Sequence, residues 1–172
     1  MTSKGRKESD ALGRALGAVV EGVTFYDLAH IAVAESRVKI AFEEFGRRKR
    51  DQLAKLEAIT GHTAKDAAVL PGIYPLDAVS KVECYVCGYV AETKAMPTQC
   101  PKCGAARYSF EKEIALSKAW QIAADAGRKS AMLFRDAASH ATGSAKARLD
   151  ELAREEDSVV AQADKQLEEL RT

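Results

Sequence analysis

The chain has 172 residues and carries 26 Lys+Arg against 25 Asp+Glu, a formal net charge of +1. That balance excludes the broad basic footprint of a general nucleic-acid binder, and no uninterrupted apolar run reaches the ~20 residues that span a bilayer. The opening stretch from Met1 to Asp10 is polar and lacks a secretory apolar core, so a soluble cytoplasmic protein without a membrane partner is expected. Aromatic residues make up only 6 %, while alanine, the strongest helix former, occurs 31 times. All four prolines lie between Pro71 and Pro101, and all four cysteines between Cys84 and Cys103. Proline is expelled from helix interiors, so the chain reads as helical, then irregular, then helical again.

Residues 9–60 form the first helical stretch. Leu12, Leu16, Val19, Val23, Tyr26 and His30 recur at three- and four-residue steps, and Val38, Phe42, Phe45, Leu53, Leu56 and Ile59 continue the pattern. The stretch is too long for one ordinary helix, which predicts two antiparallel helices breaking near 34–36 and stopping at Gly61. A linker follows over 61–80 and a cysteine module over 81–108. The last stretch, 109–171, opens on Ser109 as a candidate N-cap with Glu111 and Glu113 in the first turn. Its stripes are Leu116, Trp120, Ala123, Gly127, Ala131, Phe134 and Ala138, then Ala145, Leu149, Leu152, Glu156, Val159, Ala163, Leu167 and Leu170, with a turn at 142–144 between them. Four amphipathic helices of ~25 residues bury their stripes together in a four-helix bundle.

Cys84-Tyr-Val-Cys87-Gly88 and Cys100-Pro-Lys-Cys103-Gly104 are two C-x-x-C-G hooks separated by twelve residues. Such hooks wrap four thiolates around one soft metal. Disulfides are disfavoured in a reducing compartment, and thioredoxin-type redox needs a βαβ pattern that the flanks lack. Zinc and iron both accept four thiolates in a tetrahedron, so the spacing leaves the metal open.

The segment Cys84-Tyr-Val-Cys-Gly-Tyr-Val, followed by Met96-Pro97, Cys100-Pro-Lys-Cys-Gly and Phe110, resembles the rubredoxin-like domain of rubrerythrins. Phe25-Tyr26, Phe42-Glu43-Glu44-Phe45 and the run from Leu149 to Glu156 resemble the helical halves of the same family. The resemblance implies a mainly α protein: a ferritin-like four-helix bundle with a small rubredoxin-like β ribbon inserted between helices 2 and 3. It further implies one rubredoxin-type iron held by Cys84, Cys87, Cys100 and Cys103, with zinc as the alternative. One-electron transfer to or from a redox partner protein, in peroxide or oxidative-stress metabolism, would follow. Family members are commonly homodimers, some with exchanged helix pairs.

In that family each bundle half supplies a Glu from its first helix and Glu-x-x-His from its second, together holding two irons. The matching positions here are Val19, Lys49 and Gln52, then Gly127, Glu156 and Val159. Only Glu156 keeps a family ligand, so the di-iron centre and its peroxidase activity are expected to be absent unless His30, Asp125 or His140 substitute. Glu156 in mid-stripe would need an opposite charge, and Lys49 stands at the mirrored position, which predicts an ion pair between them. The competing reading has Lys49 snorkelling to water within the run Arg47-Arg48-Lys49-Arg50. His30 reads as a core histidine, His62 as a linker residue and His140 as a helix-end residue. Tyr85 and Tyr89 are assigned either to a docking face or to packing around the metal. A zinc ribbon that only staples a scaffold or interaction protein is the alternative function.

Overall fold

A computed structural model describes residues 3–61, 63, 65, 67, 71–75 and 78–171, so His62 and part of the 61–80 linker lie outside the described residues. Helix α1 spans Ser3–Ala32, starting ahead of the expected residue 9 because Arg6, Lys7 and Glu8 are good helix formers. By length and composition its segment Gly5–Ala32 could cross a membrane. That face, however, is filled by protein: Ala15, Leu16, Val19, Phe25 and Tyr26 are buried against the neighbouring helices. The chain reverses at Val33–Glu35, beside the expected break. The Glu35 carboxylate caps the next helix, accepting from the Val38 N–H at 2.9 Å and the Arg37 N–H at 3.3 Å. Helix α2, Ser36–Thr60, ends as predicted on Gly61, whose N–H reaches the Glu57 carbonyl.

The cysteine module is a three-stranded antiparallel sheet, β1 Lys81–Cys84, β2 Val90–Glu92 and β3 Phe110–Glu113, in the order β2-β1-β3. Its third strand corrects two expectations. The module continues past 108, and Ser109 closes a short 3-10 turn (Arg107–Ser109) instead of capping a helix. Pairing with β1 claims this segment: Phe110 stands opposite Cys84, and Glu113 opposite Lys81. Helix α3 therefore begins at Leu116 and runs to His140, and α4 spans Gly143–Glu169.

Helix α1 packs on α2 and α3, and α4 packs on α3 and α2, giving a four-helix bundle with the ribbon between α2 and α3. Its interior falls into two apolar layers. The ribbon-proximal layer holds six of the chain's eleven aromatic residues: Phe25, Tyr26, Phe42, Phe45, Tyr74 and Trp120. Their rings meet at 5.1–5.7 Å, mostly edge-on or tilted, the arrangement that aromatic quadrupoles favour. The distal layer is built from Leu16, Val19, Leu56, Phe134, Leu149 and Leu152 with small alanines between them. On α2, Lys49 and Gln52 fall between Phe45 and Leu56; on α4, Glu156 falls between Leu152 and Val159. All three are buried, forming a polar layer between the two apolar ones.

Candidate metal centre

The ribbon brings the four cysteine sulfurs together. Their Sγ atoms all lie within 4.8 Å of one another. Cys84 stands 3.8 Å from Cys103, and Cys87 stands 3.7 Å from Cys100, so each short contact joins one hook to the other. Four sulfurs at ~2.3 Å from a tetrahedral ion are about 3.8 Å apart. The donor set thus fits one thiolate-loving metal, with a ligand from each side of the ribbon in every short pair. Each hook closes in the same way. The Gly88 N–H reaches the Cys84 carbonyl at 2.8 Å, and the Gly104 N–H reaches that of Cys100 at 2.9 Å. Both glycines have positive φ, +67° and +77°, which a side chain would strain.

Backbone amides are aimed at the sulfurs. Desolvation opposes ionisation of Cys100, yet the N–H groups of Cys103 and Lys102 and the neighbouring thiols outweigh it, lowering its thiol to about 7. At Cys103 the Ala105 N–H favours the thiolate, but desolvation and the other three sulfurs push it up to about 12. Without a cation the cluster favours the Cys100 thiolate and holds Cys103 protonated, whereas a bound metal would favour all four thiolates together. Cys84 and Cys100 are buried in the ribbon core with Val79, Val82 and Phe110, while Cys103 reaches solvent. Tyr89 packs against this core, whereas Tyr85 is exposed beside the first hook.

At the polar layer of the bundle, Lys49 Nζ donates to Glu156 Oε1 at 2.6 Å and to Gln52 Oε1 at 3.2 Å. Gln52 Nε2 donates to the same Glu156 oxygen at 2.6 Å, closing a loop of three side chains. The predicted ion pair therefore exists and lies inside the protein, with both side chains at most 6 % exposed. Lys49 does not snorkel; its neighbours in the basic run do face outward, Arg48 to Glu44 and Arg50 to Asp27. Removing one partner of such a buried pair costs about 3–5 kcal/mol, because the other is left uncompensated.

The two glycines beside this pair decide what else the layer can hold. A Cβ on Gly127 would stand 2.8 Å from Val160 Cγ2 and 3.6 Å from Glu156 Oε2. A Cβ on Gly22 would stand 2.8 Å from the Tyr74 hydroxyl and 3.1 Å from Lys49 Cδ. Gly22, not Val19, is thus the α1 residue beside Lys49; Val19 packs in the distal layer, and Val159 in the aromatic one. Neither first helix has room for a carboxylate here, and a lysine ammonium already faces Glu156. The bundle does not fit a two-metal centre. His30 donates to the Asp27 carbonyl, Asp125 pairs with Arg128, and His140 sits 3.8 Å from Asp136. Among the described residues no second group of three or more His, Cys, Asp or Glu ligands converges.

Sequence reasoning missed Glu21 and Tyr74. The buried Glu21 carboxylate accepts the N–H groups of Gly72 (2.9 Å) and Tyr74 (2.7 Å), pinning that segment against α1. Tyr74 is thereby delivered into the interior, its ring centroid 6.0 Å from Lys49 Nζ. Burial raises the phenols of Tyr26 and Tyr74 well above their ordinary value, so both stay protonated. Glu21 falls between the stripe residues Val19 and Val23 without belonging to the stripe, and only a long-range partner distinguishes it from a surface acid.

Residues 83–111 match the family model of the rubrerythrin rubredoxin-like domain. The whole chain is similar in fold to a conserved hypothetical protein, rv2844, from Mycobacterium tuberculosis. The TM-score is 0.57 at 17 % identity, covering 96 % of this chain and 93 % of the other. No curated protein matches the chain. The ribbon match, the four converging cysteines and the four-helix bundle together fit a rubrerythrin-like protein.

Proposed function

We propose that this is a rubrerythrin-like redox protein whose ribbon holds one iron on Cys84, Cys87, Cys100 and Cys103 and passes single electrons. The observation that carries the reading is the approach of four Sγ atoms to within 4.8 Å in a segment matching the rubredoxin-like domain of rubrerythrin. Iron bound by four thiolates supplies a one-electron couple tuned by N–H···S bonds and burial. The chain's own part is to hold the sulfurs on two stiff hooks and to aim the Lys102, Cys103 and Ala105 amides at them. Burial of Cys84 and Cys100 shields the inner side of the centre, while Cys103 opens it toward solvent for a redox partner protein. A reducing, cytoplasmic setting, a homodimer and a place in oxidative-stress metabolism complete the reading. Peroxide reduction at a bundle metal centre is not part of it, since Lys49 fills that layer.

Metal analysis and optical spectra after iron-supplemented expression test the proposal. One iron per chain, with a red ferric-thiolate spectrum that dithionite bleaches, is expected. A colourless protein with one zinc and no iron would establish the structural zinc ribbon instead. More than one iron per chain would contradict the exclusion of a bundle centre.

A further inference from the structure

The polar layer poses a problem that the ribbon does not answer. Among the described residues the buried polar and charged side chains are Glu21, Lys49, Gln52, Ser130 and Glu156. Glu21 is satisfied by two backbone amides, and neither it nor the Ser130 hydroxyl takes part in the ion pair. Glu156 and Gln52 remain, contributing a carboxylate oxygen and an amide oxygen that converge on a single point from α4 and α2. That point is taken by Lys49 Nζ, at 2.6 and 3.2 Å, with the Tyr74 ring face beyond it. The glycines at 22 and 127 leave no space for a side chain at those two positions of α1 and α3. We infer that the Glu156–Gln52 pair is a cation seat inside the bundle and that the Lys49 ammonium is its resident cation. In this role Lys49 holds α2 to α4 as a bound ion would.

The seat has a definite chemistry. Its ligands are hard oxygens without sulfur or imidazole, so it takes a primary ammonium or, once the lysine is gone, a hard divalent cation such as Mn2+. The ribbon thiolates prefer softer metals, which keeps the two sites separable. This inference stands apart from the identity of the ribbon metal.

Two variants of the full-length, metal-loaded protein test it, with helix melting as readout. Lys49→Ala leaves a space the size of n-propylammonium beside Glu156. Its melting temperature should fall by roughly 10 °C, and n-propylammonium should restore at least half of the loss, whereas the neutral isostere 1-propanol should not. Lys49→Glu sets a second carboxylate at the seat. It should melt several degrees higher with Mn2+ than without, while the parent protein should not respond. Parent-like melting of Lys49→Ala, or equal restoration by 1-propanol and n-propylammonium, overturns the inference. If Lys49→Ala is recovered only unfolded, the Mn2+ response of Lys49→Glu decides, and no shift overturns it.

Discussion

Lys49 and Glu156 are 107 positions apart and meet at one oxygen. The need of Glu156 for a partner was legible because it interrupts an apolar stripe. Lys49 was pointed to only by its mirrored family position, and periodicity left its snorkelling to water open. The α1 residue beside them was not legible. Val19 and Gly22 lie one turn apart on the same helix face, so periodicity accepts either; only the axial register of α1 on α2 chooses between them. Glu35 is a simpler case, a carboxylate at a helix start. Partial burial raises it, but the Arg37 guanidinium and the Val38 and Arg37 amides outweigh that and hold it below the ordinary carboxylate value. A depressed folded value means its contribution is present above the unfolded value and lost as pH falls through the folded one. Glu35→Ala should therefore cost about 1 kcal/mol near neutral pH. The difference from the parent should vanish in acid, as denaturant melts at several pH values would show.

Among the elements, helices α1 to α4 were readable from period and composition because those signals are local. Strand β3 was not. A serine followed by acidic residues reads as a helix start, yet β1, nearly thirty residues earlier, pairs with the segment and buries Phe110. The entry of the linker into the bundle was equally hidden. Tyr74 lies in a Pro-flanked stretch, and its place depends on Glu21, 53 residues away. This contact has an energetic consequence for α1. Helix propensity alone favours Gly22→Ala by about 1 kcal/mol. The new methyl group would meet the Tyr74 hydroxyl at 2.8 Å, and that ring is wedged against Phe25 and Tyr26. Overpacking costs about 1–3 kcal/mol, so Gly22→Ala should melt below the parent. Adding Tyr74→Phe, which removes the nearest clashing atom, should recover most of the loss. A stabilised Gly22→Ala protein would show that propensity wins.

At the scale of the whole molecule, the bundle and the ribbon are two cores joined where Ala78 enters the first and Val79 the second. The bundle has two apolar layers and needs no metal in either. The ribbon core is one small cluster around two of the cysteines, and units below ~40 residues rarely fold without a metal or disulfide. Chelation should therefore loosen residues 79–113 while helix content stays nearly unchanged. Limited proteolysis should cut within that span, and circular dichroism should show the helices intact; parallel loss of both would mean a single cooperative unit.

The buried ion pair also restricts which helix hairpins can stack. Gly22 abuts Lys49 in the α1–α2 hairpin, just as Gly127 abuts Glu156 in the α3–α4 hairpin, so the two hairpins present corresponding positions to each other. The charges at those positions are opposite. Two α1–α2 hairpins stacked face to face would press ammonium against ammonium, and two α3–α4 hairpins carboxylate against carboxylate, each without water to screen it. A first hairpin accepts only a second one, so the pair gives this interface a polarity that its alanine-rich surroundings could not supply.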